Sequence, residues 1–301
     1  MKKILITGSN GLLGQKLAEL LLPRTDVELL ATSRGENKLA APLPDLPFAA
    51  MDVSEQEQVE QVVSSFRPTH IIHTAAMTNV DQCETDQEGA LKLNYHAVQH
   101  LVAACEKYNV HLIHLSTDFI FDGEDGPYTE EADANPISFY GETKRLAEEA
   151  VKQAKCKWAI LRTVLVYGVV HDYGRTNIVL WVRDSLRAGK QIKVVDDQFR
   201  TPTLAEDLAM GCWLAAQHDA EGIFNISGKE LLTPYAMALQ VADYFNLDKG
   251  LIEKADATTF SQTAKRPPRT GFDISKAETV LGYKPHSFME GIRMVAEQAE
   301  A

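Results

Sequence analysis

A chain that opens on "KILITGSNGLLGQKL" has few ways to fold. A short apolar strand runs straight into Gly8-Ser9-Asn10-Gly11-Leu12-Leu13-Gly14, and a helix-forming stretch follows at once. Gly8 permits a sharp exit from the strand, Gly11 lets a diphosphate approach the backbone, and Gly14 lets the helix pack closely on the sheet. The first helical amides and the helix dipole then hold an anion. A glycine-rich loop is informative only between a strand and a helix, and both flanks are present here. Gly8, Asn10, Gly11, Leu12, Leu13 and Gly14 are therefore the expected phosphate loop of a dinucleotide site.

The same rhythm continues. "VELLAT" (27–32), "HIIHTA" (70–75), "VHLIHLS" (110–116) and "WAILRT" (158–163) read as strands covered on both faces. Helix-like stretches lie between them, at 54–66, 88–108 and 138–154. Ser54 and Glu57 suit a capping box at the start of the first of these. Such alternation implies parallel pairing through right-handed crossovers, hence an α/β, doubly wound, Rossmann-type sheet. After about residue 165 the rhythm changes to helix 177–189, strand "QIKVV", helix 204–217, strand "GIFNIS" and a largely helical tail from Pro234. The expected division is a dinucleotide-binding domain over 1–165, with returning segments near 196–228 and 265–275. A smaller, mostly helical substrate-binding domain mainly takes 166–301.

Lys and Arg number 30 against 42 Asp and Glu, a net charge of −12, so nucleic acid is not an expected partner. An anionic ligand needs a local basic or backbone-amide site. Cys83, Cys105, Cys156 and Cys212 are scattered without a Cys-x-x-Cys, which suits buried thiols in a reducing compartment and no disulfide or metal framework. The apolar run after Met1-Lys2-Lys3 stops at Thr7-Gly8, too soon for a signal segment, and no stretch is long enough to span a membrane. The expected location is the cytoplasm, with no membrane partner and no metal.

The second strand ends in "ATSRGEN", where NAD-specific proteins usually carry a carboxylate for the ribose 2′-hydroxyl. Ser33 and Arg34 stand there instead, and a guanidinium attracts a 2′-phosphate. NADPH is thus the expected cofactor, with Lys38 as a helper. If Arg34 only stacks on adenine, NADH also serves. Asp52, followed by Val53, can accept from the adenine amino group, and "HTAAM" brings the small Ala75 and Ala76 with Met77 near the cofactor.

"SFYGETKR" places Tyr140 and Lys144 one helical turn apart on one face, with Pro136 as the expected helix start. A tyrosine is a poor acid near neutrality; a neighbouring ammonium stabilises its phenolate and lowers its pKa. Tyr140 can then protonate a carbonyl oxygen while hydride arrives at carbon. Thr117, directly after the strand "VHLIHLS", supplies a second hydroxyl for that oxygen, and Ser116 is the alternative. Trp158, Trp181 and Trp213 lie in apolar segments and read as core or interface anchors.

"TGSNGLLG", "HTAAMTNVDQCE", "STDFIFDGEDGPYTEEADANPISFYGETK", "VVDDQFRTPTLAEDLA" and "RPPRTGFDISKAETVLGYKP" occur in order over nearly the whole chain. Together they resemble the extended short-chain dehydrogenase/reductases, in particular the dTDP-4-dehydrorhamnose reductase branch. The resemblance implies NADPH-dependent reduction of the 4-keto group of a nucleotide-linked deoxysugar. It implies an Asn94 that braces the lysine, often through water, and a substrate contact at Thr78, Val80 and Phe119. Thr117-Asp118-Phe119 lacks the Glu that related dehydratases carry, so Asp118 reads as a structural hydrogen-bonder or, less simply, an acid. The branch tends to have Gly where this chain has Arg200. Arg200, Arg266 and Arg269 are candidates to grip an anionic substrate; each can instead bond a loop carbonyl or carboxylate. Two other readings share the motifs: a non-catalytic regulatory subunit resembling the methionine adenosyltransferase β-subunit, and a nucleotide-sugar epimerase. The expected partners are the nucleotide sugar and, as an assembly option, a second copy of the chain.

Overall fold

The computed structural model describes residues 1–171, 177–260 and 262–300. Its first part runs β1 (Lys2–Thr7), α1 (Leu12–Leu21), β2 (Val27–Ser33), β3 (Phe48–Ala50), α2 (Gln56–Phe66), β4 (His70–His73), α3 (Val80–Thr85), α4 (Gln87–Leu91), α5 (Ala97–Tyr108), β5 (His111–Thr117), α6 (Phe139–Lys152) and β6 (Trp158–Thr163). The second runs β7 (Val166–Tyr167), α7 (Ile178–Arg187), β8 (Ile192–Val195), β9 (Thr203–Leu204), α8 (Ala205–Gln217), β10 (Gly222–Asn225), α9 (Pro234–Tyr244), β11 (Ile252–Ala255) and α10 (Phe288–Glu300).

Seven strands form one sheet in the order β10-β6-β5-β4-β1-β2-β3. Every pairing in it is parallel. Ile4 and Ile6 pack with Leu17, Leu21 and Trp213 on one face. Leu5, Ile71 and Leu112 pack with Val59, Val63, Leu101 and Val151 on the other. Cover on both faces is why these strands are near-continuous apolar runs. The chain order reverses between β1 and β4, and such a switch point opens a crevice at the carboxyl ends of the strands. A separate apolar cluster joins Val182, Val194, Met237, Val241, Ile292 and Val295 from α7, β8, α9 and α10.

Several local expectations are corrected. The helix-like stretch 88–108 divides into α4, a π-helical turn at Lys92–His96, and α5, and the short α3 precedes it. Ser54 does not cap α2, because its hydroxyl donates to the nearer Asp52 carboxylate at 2.7 Å. Helix α6 starts at Phe139 and not at Pro136; Ser138 is its cap, with Oγ accepting from the Gly141 amide at 3.2 Å. The tail is less helical than expected, since β11 pairs parallel with β8. No described helix is long and apolar enough to cross a membrane.

Helix α6 is fixed to the sheet by a fork of two buried charges. Arg162 of β6 donates to both carboxylate oxygens of Glu148, at 3.0 and 2.8 Å, and to the Glu130 carbonyl at 3.1 Å. The two side chains are 2% and 1% exposed. Removing one partner leaves the other charge buried and alone. Glu148→Ala should therefore lower unfolding free energy by ~3–5 kcal/mol, read by urea denaturation, whereas Glu148→Leu combined with Arg162→Met should recover most of that loss.

Candidate active site

The phosphate loop is built by close backbone contact. Gly8 has φ +73°, and a Cβ there would lie 2.7 Å from the Ala75 amide nitrogen. At Gly14 it would lie 2.4 Å from the Gly8 carbonyl oxygen. Only glycine lets α1 and the β4 exit converge this tightly. The Asn10 side chain donates to the Glu36 carbonyl at 2.8 Å and accepts from the Lys38 amide at 3.0 Å, which ties the loop after β2 to the glycine loop.

The glycine loop opens into a cleft of about 930 Å³ at the strands' carboxyl ends. Gly8, Asn10, Gly11, Leu12, Leu13, Gly14, Ser33, Arg34, Lys38, Asp52, Val53, Ala75 and Ala76 line it. So do Thr78, Val80, Thr117, Phe119, Tyr140 and Lys144. The bare backbone cradle at Gly8 and Gly14, under the open amides of α1, fits a dinucleotide diphosphate. Thr74, Thr163, Leu165, Val170 and Leu208 also line the cleft and were not anticipated. Thr163 ends β6 and Leu165 lies just beyond it, where the strand-end rule would have pointed.

Tyr140 is brought to the cleft by Gly141. A Cβ on Gly141 would sit 2.1 Å from the Phe119 carbonyl oxygen, so glycine lets α6 dock on the turn after β5. Phe139 N donates to Glu84 at 2.7 Å, pinning the start of the helix. The Tyr140 ring meets Phe119 edge-on at 5.7 Å. Burial pushes the Tyr140 phenol well above the usual tyrosine range, against the stabilising contact of the Thr117 hydroxyl.

Lys144 is oriented differently from the sequence-based expectation. Its ammonium donates to the Leu115 carbonyl at 2.6 Å and stands 3.4 Å from His114 Nε2. Burial lowers it to about 8, while the Glu148 carboxylate pulls the other way. Tyr140 accordingly shows a raised phenol pKa and not the depressed one expected of a Lys144 neighbour, because burial is the dominant influence and Lys144 faces β5. His114 stacks on His73 with ring centroids 5.5 Å apart. Burial and the Lys144 charge keep both imidazoles neutral, His73 at about 3.

Of the other predicted residues, Asp118 also lines the cleft, whereas Met77 and Asn94 stand beside it. Asn94, in the π-helical turn, makes its direct bonds to Met77 and Thr143. It accepts from the Met77 amide at 2.8 Å and donates to the Met77 carbonyl at 3.0 Å and to Thr143 Oγ1 at 3.1 Å. It thereby ties Met77 and the strand exit to α6. Asp118 is buried, accepting from Thr117 at 3.1 Å and from Thr270; burial raises its pKa despite Arg200 nearby. That is the structural alternative for Asp118.

The three arginines take the second of their two readings. Arg200 donates to the carbonyls of Pro267 at 2.6 Å, Phe199 at 2.7 Å and Pro268 at 3.3 Å, and its Nε lies 3.6 Å from Asp118. It is 5% exposed, so it holds a loop and does not present a fork to the cleft. Arg266 pairs with Asp81 at 2.7 Å, and Arg269 donates to the Gly126 carbonyl at 2.8 Å. Carbonyls of proline-bearing loops need donors, and these arginines supply them. Trp213 is buried as expected, whereas Trp181 lines a second cavity of about 590 Å³ beside the first.

The sheet order, the glycine loop and the Thr117, Tyr140 and Lys144 cluster define an extended short-chain dehydrogenase/reductase fold. Within that class the chain belongs to the RmlD substrate binding domain family, which matches residues 1–301. It is 29% identical to a dTDP-4-dehydrorhamnose reductase of Aggregatibacter actinomycetemcomitans, over 100% of both chains. It is also 29% identical to the methionine adenosyltransferase 2 subunit beta of Mus musculus, covering 97% of this chain and 86% of that one. The structure is similar to that of a Bacillus anthracis dTDP-4-dehydrorhamnose reductase in complex with NADP, with TM-score 0.86, 28% identity and 99% of each chain covered.

Two outcomes test this geometry. Gly141→Ala should destabilise the protein by ~1–3 kcal/mol, measured by thermal or urea unfolding, because α6 must back away from Phe119. Lys144 has a folded pKa below that of the unfolded chain, so the unfolded chain holds the proton more readily from about 8 up to the ordinary lysine value. Its contribution to stability is flat and least favourable below pH ~8 and rises with pH through that window. Relative to Lys144→Met, the wild type should gain stability on going from pH ~8 to pH ~10, and an unchanged difference would refute the shifted pKa.

Proposed function

We propose that this protein reduces the 4-keto group of a nucleotide-linked deoxysugar with NADPH, in the manner of a dTDP-4-dehydrorhamnose reductase. One observation carries the reading: Thr117, Tyr140 and Lys144 open into the same cleft as the glycine loop. NADPH, when bound, supplies hydride to the carbonyl carbon. The chain supplies the proton and the positioning. Burial holds the proton on Tyr140, so its release has to be coupled to the negative charge that hydride transfer places on the C4 oxygen. The Tyr140 hydroxyl gives the proton to the C4 oxygen, and Thr117 turns its hydroxyl from Asp118 to donate to that oxygen when substrate is bound. Lys144, whose side chain also lines the cleft, is assigned as the donor for the nicotinamide ribose.

Arg34 is exposed at the end of β2, beside Ser33, and is assigned to the adenosine 2′-phosphate. Asp52 is assigned to adenine. Residues 1–165, with the returning segments near 196–228 and 265–275, form the cofactor half in this reading. Residues 166–301 mainly serve the substrate, through the second cavity with Trp181 and Lys193. The four buried, free cysteines suit the cytoplasm.

NADPH oxidation across dTDP-, GDP- and UDP-linked 4-keto sugars tests the proposal. Tyr140→Phe should abolish turnover while leaving NADPH affinity nearly intact; wild-type-like turnover in that variant would sink the mechanism. Arg34→Ala should weaken NADPH by ~10–100-fold and leave NADH nearly unaffected, by the usual strength of a charge-assisted bond. The similarity to a methionine adenosyltransferase β-subunit motivates a regulatory reading. Copurification with a synthetase, without substrate-dependent NADPH oxidation, would favour it. An epimerase would instead retain NAD through purification, visible by absorbance.

A further inference from the structure

The opposite edge of the sheet holds a second chemical cluster. His70 begins β4 and His111 begins β5, paired in register, with ring centroids 5.1 Å apart. Asp219, just beyond α8, brings Oδ1 to 2.8 Å from His70 Nε2. One ligand atom from each of the three residues lies within 4.8 Å of the others. His111 is 4% exposed, and neither ring nitrogen has a hydrogen-bond partner among the described residues. A buried imidazole without partners is destabilising unless something else takes its lone pair.

The surroundings suit a cation. Thr69 Oγ1 accepts from the Lys3 amide at 3.0 Å and reaches the Lys3 carbonyl at 3.1 Å and His70 Nδ1 at 2.8 Å. When its proton goes to the Lys3 carbonyl, its remaining lone pair takes the His70 Nδ1 proton. Nε2 then presents a lone pair to a carboxylate oxygen, and a cation between them satisfies both. This is the outer support that metal-binding histidines ordinarily have.

We propose that His70, His111 and Asp219 bind one first-row divalent cation of the zinc type at the amino-terminal edge of the sheet. Two imidazoles and one carboxylate are a borderline donor set of that kind. Asp219 is 53% exposed, which leaves a fourth position for water. The Lys2 ammonium, 2.8 Å from Asp219 Oδ1, competes for the same oxygen. The Lys157–Glu221 pair, at 3.3 Å, also lies in the electrostatic surroundings of His111. The site ties β1, β4, β5 and the end of α8 together, away from the cleft, so it stands whether or not the proposed reductase activity does. No local pattern marks it, because the ligands are far apart in the chain and His70 and His111 meet only through strand register.

Calorimetric titration of the chelator-treated full chain with Zn²⁺ tests the site, with Co²⁺ absorption reporting its geometry. One equivalent should bind. His111→Ala and Asp219→Asn should each weaken it by more than ~100-fold and Thr69→Ala by ~10-fold, while Lys2→Ala should tighten it. Asp219 is exposed, so its variant remains informative if His111→Ala fails to fold. NADPH affinity should be unchanged in all four variants. The proposal is overturned by the absence of saturable Zn²⁺ binding with a Kd tighter than roughly 100 μM. Wild-type affinity in Asp219→Asn would overturn it equally, since the metal would then sit elsewhere.

Discussion

Two charges with almost no access to water, Arg162 and Glu148, hold the helix that carries Tyr140 and Lys144 against the sheet. Such a pair is weak evidence for stability in itself, because both charges lose their hydration. Its value here is geometric. The bidentate fork fixes how α6 sits over β6, and a third bond from Arg162 to the Glu130 carbonyl extends the hold to the segment before α6. Glu148 lies one helical turn beyond Lys144, and its carboxylate helps keep the Lys144 ammonium charged in a buried setting. One ion pair therefore sets both the position and the charge of the site.

Around that anchor the cleft is made of close approaches. Gly8 against Ala75, Gly14 against Gly8 and Gly141 against Phe119 each leave no room for a Cβ. The first two shape the cradle at the start of α1; the third sets Tyr140 beside Thr117. The buried histidines behind Lys144 stay neutral, so they add no second positive charge beside the ammonium. The arginines near the cleft serve another purpose. Arg200 satisfies carbonyls of the 267–268 loop and lies beside Asp118, which in turn accepts from Thr117. It acts on the cleft through its neighbours.

Much of this was legible in the chain because the cues are local. A strand, a glycine loop and a helix adjoin at the N-terminus, and the spacing of Tyr140 and Lys144 is one helical turn. The five long β-branched runs all become strands of the sheet. What was not legible depends on distant partners. β7, β9 and β11 are two to four residues long, too short for a periodic pattern, and exist because another strand lies beside them. Ser54 lost its capping role to a competing carboxylate two residues away. Whether Arg200 faced a ligand or a carbonyl depended on where the loop at Pro267 and Pro268 came to rest.

The sequence by itself determined the parallel α/β architecture, the phosphate loop and the identity of the residues around Tyr140, since hydrophobic periodicity and glycine placement act within a few residues of each other. Only the tertiary structure decided which way Lys144 points, which carbonyls the arginines satisfy, and that His70 and His111 lie side by side with Asp219. The physical reason is common to all three. Burial strips a polar group of water and obliges it to find a partner, and that partner is chosen by register and packing across the whole chain.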